Sequence, residues 1–162
     1  MFTGHTEGSN LIVVLGLGNY LLTDEGVGIH ALRLLERMVG SRAEIRFIDG
    51  GVLGLDLLHL VEATNYLLIL DALDADLPAG SIVELANEQI PLYQDIKLSE
   101  HQISFQEVLG IAHFRERLPA HLHLIGIQPE NTSLGIGLSD PVRASLVEVP
   151  QRAQVVLDQW CD

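Results

Sequence analysis

Hydrophobic positions along the chain follow two periods that alternate with one another. "LIVVLG" (11–16) and "YLLILDA" (66–72) are short unbroken apolar runs, the pattern of strands buried on both faces. "AEIRFIDGG" (43–51) alternates and ends in a turn, while "SIVEL" (81–85) and "HLHLIGIQP" (121–129) predict two further strands. Between these runs the spacing becomes helical. Val27, Ala31, Leu34, Leu35 and Met38 predict a helix over 24–38, with Gly40 as its stop signal. "GLDLLHLVEA" (54–63) and "HQISFQEVLGIAHF" (101–114) also read as helices, and 140–160 as two helical pieces. Pro150 either kinks those pieces or opens the second, in which Ala153, Val156, Leu157 and Trp160 form one apolar stripe.

Strand and helix in alternation predict an α/β domain, a mainly parallel sheet with helices on both faces. One connection breaks the rule. Only "LDADLPAG" (73–80) separates the third strand from the fourth, too short for a parallel crossover, so the fourth strand is expected antiparallel at an edge. No repeat, linker or low-complexity tract divides residues 11–162, which read as a single domain. The polar leader 1–10 lacks a signal-peptide pattern and is expected to be disordered.

Composition narrows the partners. At 162 residues and 48% hydrophobic content the chain can build a full core without staples. Twenty-two acidic against nine basic residues give a formal charge of −13, which argues against nucleic acid or an anionic membrane and favours a cationic partner or a metal ion. The single cysteine, Cys161, allows neither an internal disulfide nor a thiolate cluster. No apolar run approaches the length of a bilayer span, so a soluble cytoplasmic protein is expected, with monomer as the default state.

Ligands of open parallel sheets bind beyond the carboxyl ends of the strands. Gly16 and Gly18 suggest a dinucleotide loop there, but the third glycine of that fingerprint would fall at position 21, which is leucine. Asp49 follows Gly16 by 33 residues rather than about 20. A pyrophosphate would also face Asp24 and Glu25, so the glycines are expected to serve a tight turn and close helix–sheet packing.

Three residues on that rim carry more chemistry. Glu25 sits where a first-turn carboxylate complements a helix dipole, and Thr23 or Asp24 can cap the same helix. Asp71 ends a wholly apolar strand, where a carboxylate is desolvated unless a cation pairs with it. His101 lies in "SEHQ", which also matches a capping box from Ser99 to Gln102. His121 and His123 share a strand face but enter at its amino end. Taken together, Glu25, Asp71 and His101 form a carboxylate–carboxylate–imidazole set suited to an open or transient metal site, with donors that fit zinc or nickel equally.

In that order, "LGLGNYLLTDEGVG" (15–28), "DGG" (49–51), "LLILDA" (67–72), "HQISFQEVL" (101–109) and "IGIQP" (125–129) resemble the [NiFe]-hydrogenase maturation endopeptidases, over roughly residues 11–150. The wording of "LPAHLHLIGIQP" (118–129) and "HQISFQEVL" resembles most the branch serving membrane-bound uptake hydrogenases. The resemblance implies a three-layer α/β/α sandwich around a five-stranded, mostly parallel sheet. It also implies removal of a C-terminal extension from a hydrogenase large-subunit precursor once nickel has been inserted, with that nickel as the recognition signal. By position it makes Glu25, Asp71 and His101 the metal contacts, with the metal carried by the precursor. Asp49, beside Gly50 and Gly51, is then expected to orient water or the substrate backbone. The competing expectation is a non-enzymatic nickel-binding scaffold of the same fold.

Overall fold

The computed structural model describes residues 11–92 and 105–162. The leader 1–10, the 99–102 capping box and His101 lie outside the described residues. Five strands form one sheet: β1 (Ile12–Leu17), β2 (Ile45–Gly51), β3 (Tyr66–Ala72), β4 (Ile82–Ala86) and β5 (His121–Ile127), in spatial order β2-β1-β3-β5-β4. All neighbouring pairs are parallel except β4 with β5, which is antiparallel and places β4 at an edge, as the short 73–80 connection predicts.

Helices cover both faces. On one side, α1 (Val27–Val39), the short α4 (Asp140–Ser145) and α5 (Val149–Cys161) cover a core built around Val14, Leu68, Leu70 and Ile125. The opposite layer consists of α2 (Leu58–Glu62) and α3 (Phe105–Phe114), packed on Val13, Leu15, Leu67 and Ile69. Alternate residues of β1 and β3 therefore feed two separate cores, which is why both strands read as unbroken apolar runs.

Two boundaries differ from the spacing. A single 3-10 turn, Thr23–Gly26, precedes α1, and the position that should cap the helix is Gly26, with no side-chain hydrogen bond. Neither Thr23 nor Asp24 caps it, because the Asp24 carboxylate is turned into the protein. The 54–63 segment is likewise a 3-10 turn, Leu55–Leu57, running into α2. Pro150 falls in the first turn of α5, where its missing N–H costs nothing, so it opens that helix rather than kinking it.

The glycines near β1 serve packing. A Cβ on Gly28 would lie 2.3 Å from the Leu17 carbonyl oxygen and 2.4 Å from that of Leu70, so α1 rests directly on β1 and β3. At Gly18, φ is +131° and a Cβ would meet the Glu25 carbonyl at 1.8 Å. That contact lets the turn fold back and bring Glu25 over the end of β1.

Candidate active site

The order β2-β1-β3-β5-β4 reverses direction between β1 and β3: from β1 the chain winds outward to β2, and from β3 it winds to β5. At such a switch point the flanking loops part and leave a crevice at the carboxyl ends of the two strands. Glu25 follows β1 and Asp71 lies near the end of β3, so the topology puts one carboxylate on each side of that crevice.

Asp71 alternates with Ile69 and so turns toward the α2–α3 layer. It is half-buried, in a cavity of about 20 Å³ that it shares with Ile69, Leu73, Phe105, Gln106 and Leu109. This setting raises its carboxyl to about 7. Burial is the main cause, the nearby Glu25 charge adds to it, and the Ala72 N–H works against it. Among the described residues no cation pairs with Asp71 or with Glu25. The cations of this rim are engaged elsewhere. Arg33 lies 3.4 Å from Asp49, and Arg143 donates to the Leu138 carbonyl at 3.1 Å. His30, stacked on Tyr20 at 4.8 Å, is shifted down by burial and by the charges of Arg33 and Arg143.

Asp49 reaches the same rim in a different state. It is exposed, ends the edge strand β2, accepts the Gly51 N–H at 3.0 Å and pairs with Arg33. With Gly18, Asn19, Tyr20 and Val52 these two side chains line a shallow pocket of about 240 Å³. The structure thus brings Glu25 and Asp71 to the switch point and Asp49 to its flank. Among the described residues no group of three His, Cys, Asp or Glu side chains converges as a metal site.

Two residues have roles that the pattern of the chain did not reveal. Asp24 is wholly buried and accepts four hydrogen bonds: from the Glu130 N–H (2.9 Å), the Asn131 N–H (3.0 Å), the Ser139 N–H (2.8 Å) and the Ser139 hydroxyl (2.7 Å). Burial alone would raise its pKa, but the bonds from Asn131, Ser139 and Glu130 outweigh it and hold the carboxyl below its usual value. Asp24 therefore bolts the β5–α4 loop to the turn that carries Glu25. The only hint in the sequence is that two carboxylates stand side by side with no basic residue nearby. Gln106 is the second. Its side chain is 5% exposed, and its Oε1 has no hydrogen-bond partner within the cavity shared with Asp71. A glutamine on the apolar face of α3, between Phe105 and Leu109, is its only trace in the sequence.

A half-buried carboxylate with a raised pKa beside a second carboxylate, with no cation among the described residues to neutralise either, is the kind of setting in which functional groups are found. The family model for hydrogenase maturation proteases, HycI, matches residues 29–158. The hydrogenase expression/formation protein HoxM of Cupriavidus necator is 34% identical over 152 residues, 93% of this chain and 75% of its own. The hydrogenase 2 maturation protease of Escherichia coli K12 is 35% identical over 136 residues, 83% of each chain. The hydrogenase maturating endopeptidase HybD from E. coli superposes with a TM-score of 0.83 at 31% identity, covering 92% of this chain and 93% of its own. The chain belongs to the hydrogenase maturation proteases.

Proposed function

We propose that this protease removes the C-terminal extension of a [NiFe]-hydrogenase large-subunit precursor, and that the nickel already held by the precursor is what it recognises. One observation carries the reading: Glu25 and Asp71 flank the switch point, and no cation among the described residues satisfies either. Two unneutralised carboxylates facing one crevice are stable partners for a cation that arrives with the substrate. Their hard oxygen donors accept nickel or zinc alike, and the substrate's own metal decides between them. His101 supplies the third donor in this proposal. It precedes the first residue of α3, Phe105, by four positions, and Phe105 lines the Asp71 cavity.

The roles then divide. Nickel supplies a Lewis acid that polarises the scissile carbonyl. Glu25 and Asp71 engage the metal-bearing region of the precursor and orient it. Asp71, held near neutrality while free, gives up its proton when the cation arrives, so binding is linked to proton release. Asp49, already paired with Arg33, positions substrate backbone beside the 240 Å³ pocket and is not a metal contact. An empty precursor leaves the carboxylates facing one another without a cation and is spared.

The test compares purified nickel-loaded and metal-free precursors by mass spectrometry, with protein at one-hundredth of the substrate concentration. Loaded precursor should lose its tail with many turnovers, and metal-free precursor should stay intact. Equal processing of both would remove nickel recognition from the reading. Binding of loaded precursor without turnover would favour the scaffold.

A further inference from the structure

Thr23 stands in a backbone conformation that its own side chain opposes. Its φ is +48°, and among the described residues the other non-glycine positions with positive φ are Asp76, Asn87 and Glu116, none of them β-branched. Aspartate and asparagine enter the left-handed region readily, whereas a branched Cβ crowds the backbone there. Such a residue persists only where its surroundings over-determine it, and outliers of this kind gather at functional sites.

The surroundings here are the loop after β5. The Thr23 N–H donates to the Gly135 carbonyl at 3.0 Å. The Thr23 hydroxyl donates to the Asn131 carbonyl at 2.5 Å, with the Ser133 carbonyl as a second acceptor at 3.0 Å. The Asn131 carbonyl also accepts the Asp24 N–H at 3.0 Å. These bonds grip residue 23 itself and are separate from those that the Asp24 side chain makes.

The turn held in this way aims Glu25. The Glu25 N–H closes onto the Leu22 carbonyl at 3.1 Å, across Thr23 and Asp24, and the Glu25 carbonyl lies where a Cβ on Gly18 would be. Were residue 23 to return to a negative φ, the chain would leave the turn in another direction and carry Glu25 with it. Glu25 needs such a hold. Its charge acts against that of Asp71, and no cation among the described residues offsets the repulsion. A rigid backbone beneath one of two facing carboxylates keeps the pair in place for a cation to enter between them.

Resting on the proposed function, we infer that Thr23 is a positioning residue. Its hydroxyl, anchored on the Asn131 and Ser133 carbonyls, holds the left-handed turn that directs Glu25 toward the metal-bearing region of the precursor. Thr23 touches no substrate and acts through Glu25.

The experiment measures initial rates on nickel-loaded precursor with the full-length protein, well below the melting point of every variant. Thr23→Val keeps the branched shape and removes the hydroxyl, so misplacement of Glu25 should lower kcat/KM about tenfold or more. Thr23→Ala, which lacks both hydroxyl and branch, should lose about as much. Thr23→Ser keeps the hydroxyl and should stay within about threefold of wild type. Thr64→Val removes a comparable hydroxyl, bonded to the Leu60 carbonyl at 2.7 Å just before β3, and should leave kcat/KM unchanged. A double-mutant cycle separates positioning from general damage. In a Glu25→Gln background, Thr23→Val should cost less than about twofold more, because the group it positions is already gone. Full additivity in the cycle, wild-type rates in Thr23→Val and Thr23→Ala, or equal losses in Thr23→Val and Thr23→Ser each overturn the inference. If the wild type cleaves normally, the proposed function stands in all three cases. Absence of wild-type cleavage overturns the proposed function, and the inference with it.

Discussion

The two ends of the sheet use the same kinds of residue to opposite effect. At the amino end rings and charges meet one another in pairs. Tyr66 stacks on His121 at 4.3 Å, and Trp160 meets Tyr66 edge-on at 5.5 Å. His123 Nε2 lies 2.7 Å from Glu84, Arg42 holds Glu44 at 2.9 Å, and Arg115 holds Glu62 at 2.6 Å. Among the described residues, the carboxyl end has Glu25 and Asp71 without cations and Gln106 Oε1 without a donor. Asp24, saturated by four hydrogen bonds, fastens the β5–α4 loop to the turn that carries Glu25. The amino end shows what this chain does with charges and rings when only stability matters. In the proposed function, the substrate matches the groups that the carboxyl end leaves without partners.

The largest expected effect breaks the comparison at its centre. Glu25→Gln and Asp71→Asn should each reduce processing of loaded precursor at least 100-fold with the fold kept, as far-ultraviolet circular dichroism would report. His121→Gln and Tyr66→Leu at the opposite end should stay within about threefold. Comparable losses at both ends would mean that the unmatched carboxylates are not the reactive groups.

Next comes Asp24→Asn, which replaces a carboxylate that accepts four hydrogen bonds with an amide that cannot accept them all. The cost should be about 2–3 kcal/mol. For a domain of this size that lowers Tm by about 5–10 °C. Arg115→Met, which breaks the exposed pair with Glu62, should cost at most about 1 kcal/mol. The sign for Asp24 follows from its depressed carboxyl: its stabilisation is full above the unfolded value near 3.8 and disappears as pH falls through the lower folded value. The gap between Asp24→Asn and wild type should therefore close in strong acid.

Asp71 has the opposite sign. Its folded pKa of about 7 lies above the ordinary aspartate value of 3.8, so between these limits the folded protein holds a proton that the unfolded chain has lost. Folding is penalised progressively as pH rises through this window, and the penalty is complete above pH 7. Asp71→Asn, though inactive, should melt higher than wild type by a few degrees at pH 8, about 1–2 kcal/mol, and by nothing at pH 4. Scanning calorimetry at the two pH values checks it.

The smallest effect sharpens the same contrast. Gln106→Leu removes a buried acceptor that has no partner among the described residues and fills similar volume, so stability should rise by about 1 kcal/mol. A loss of stability would mean that the Oε1 is satisfied in solution.

Much of the fold was legible because each element repeats its own signal. β1 and β3 are apolar at every position, and Gly40 (φ +73°) ends α1 where the periodicity stops. The eight residues 73–80 cannot support a parallel crossover, so β4 had to turn back. The boundaries of α1 and α2 were not legible, because 3-10 turns carry the same apolar spacing as the first turn of an α-helix. Placing Asp24 as a helix cap failed for a related reason. Local rules reward a carboxylate at a helix start, and nothing local announces that Glu130, Asn131 and Ser139 will come to it from more than 100 residues away.

By itself the sequence determined a five-stranded α/β domain and set carboxylates at the ends of β1 and β3, because burial on two faces and the reach of short loops are local constraints. Only the tertiary structure decided how those carboxylates stand. The order of the strands put Glu25 and Asp71 across one switch point, and packing against α3 withdrew Asp71 from water. Asp24 fastened a distant loop beside them. Those are long-range outcomes, set by which surfaces meet, and no spacing along the chain encodes them.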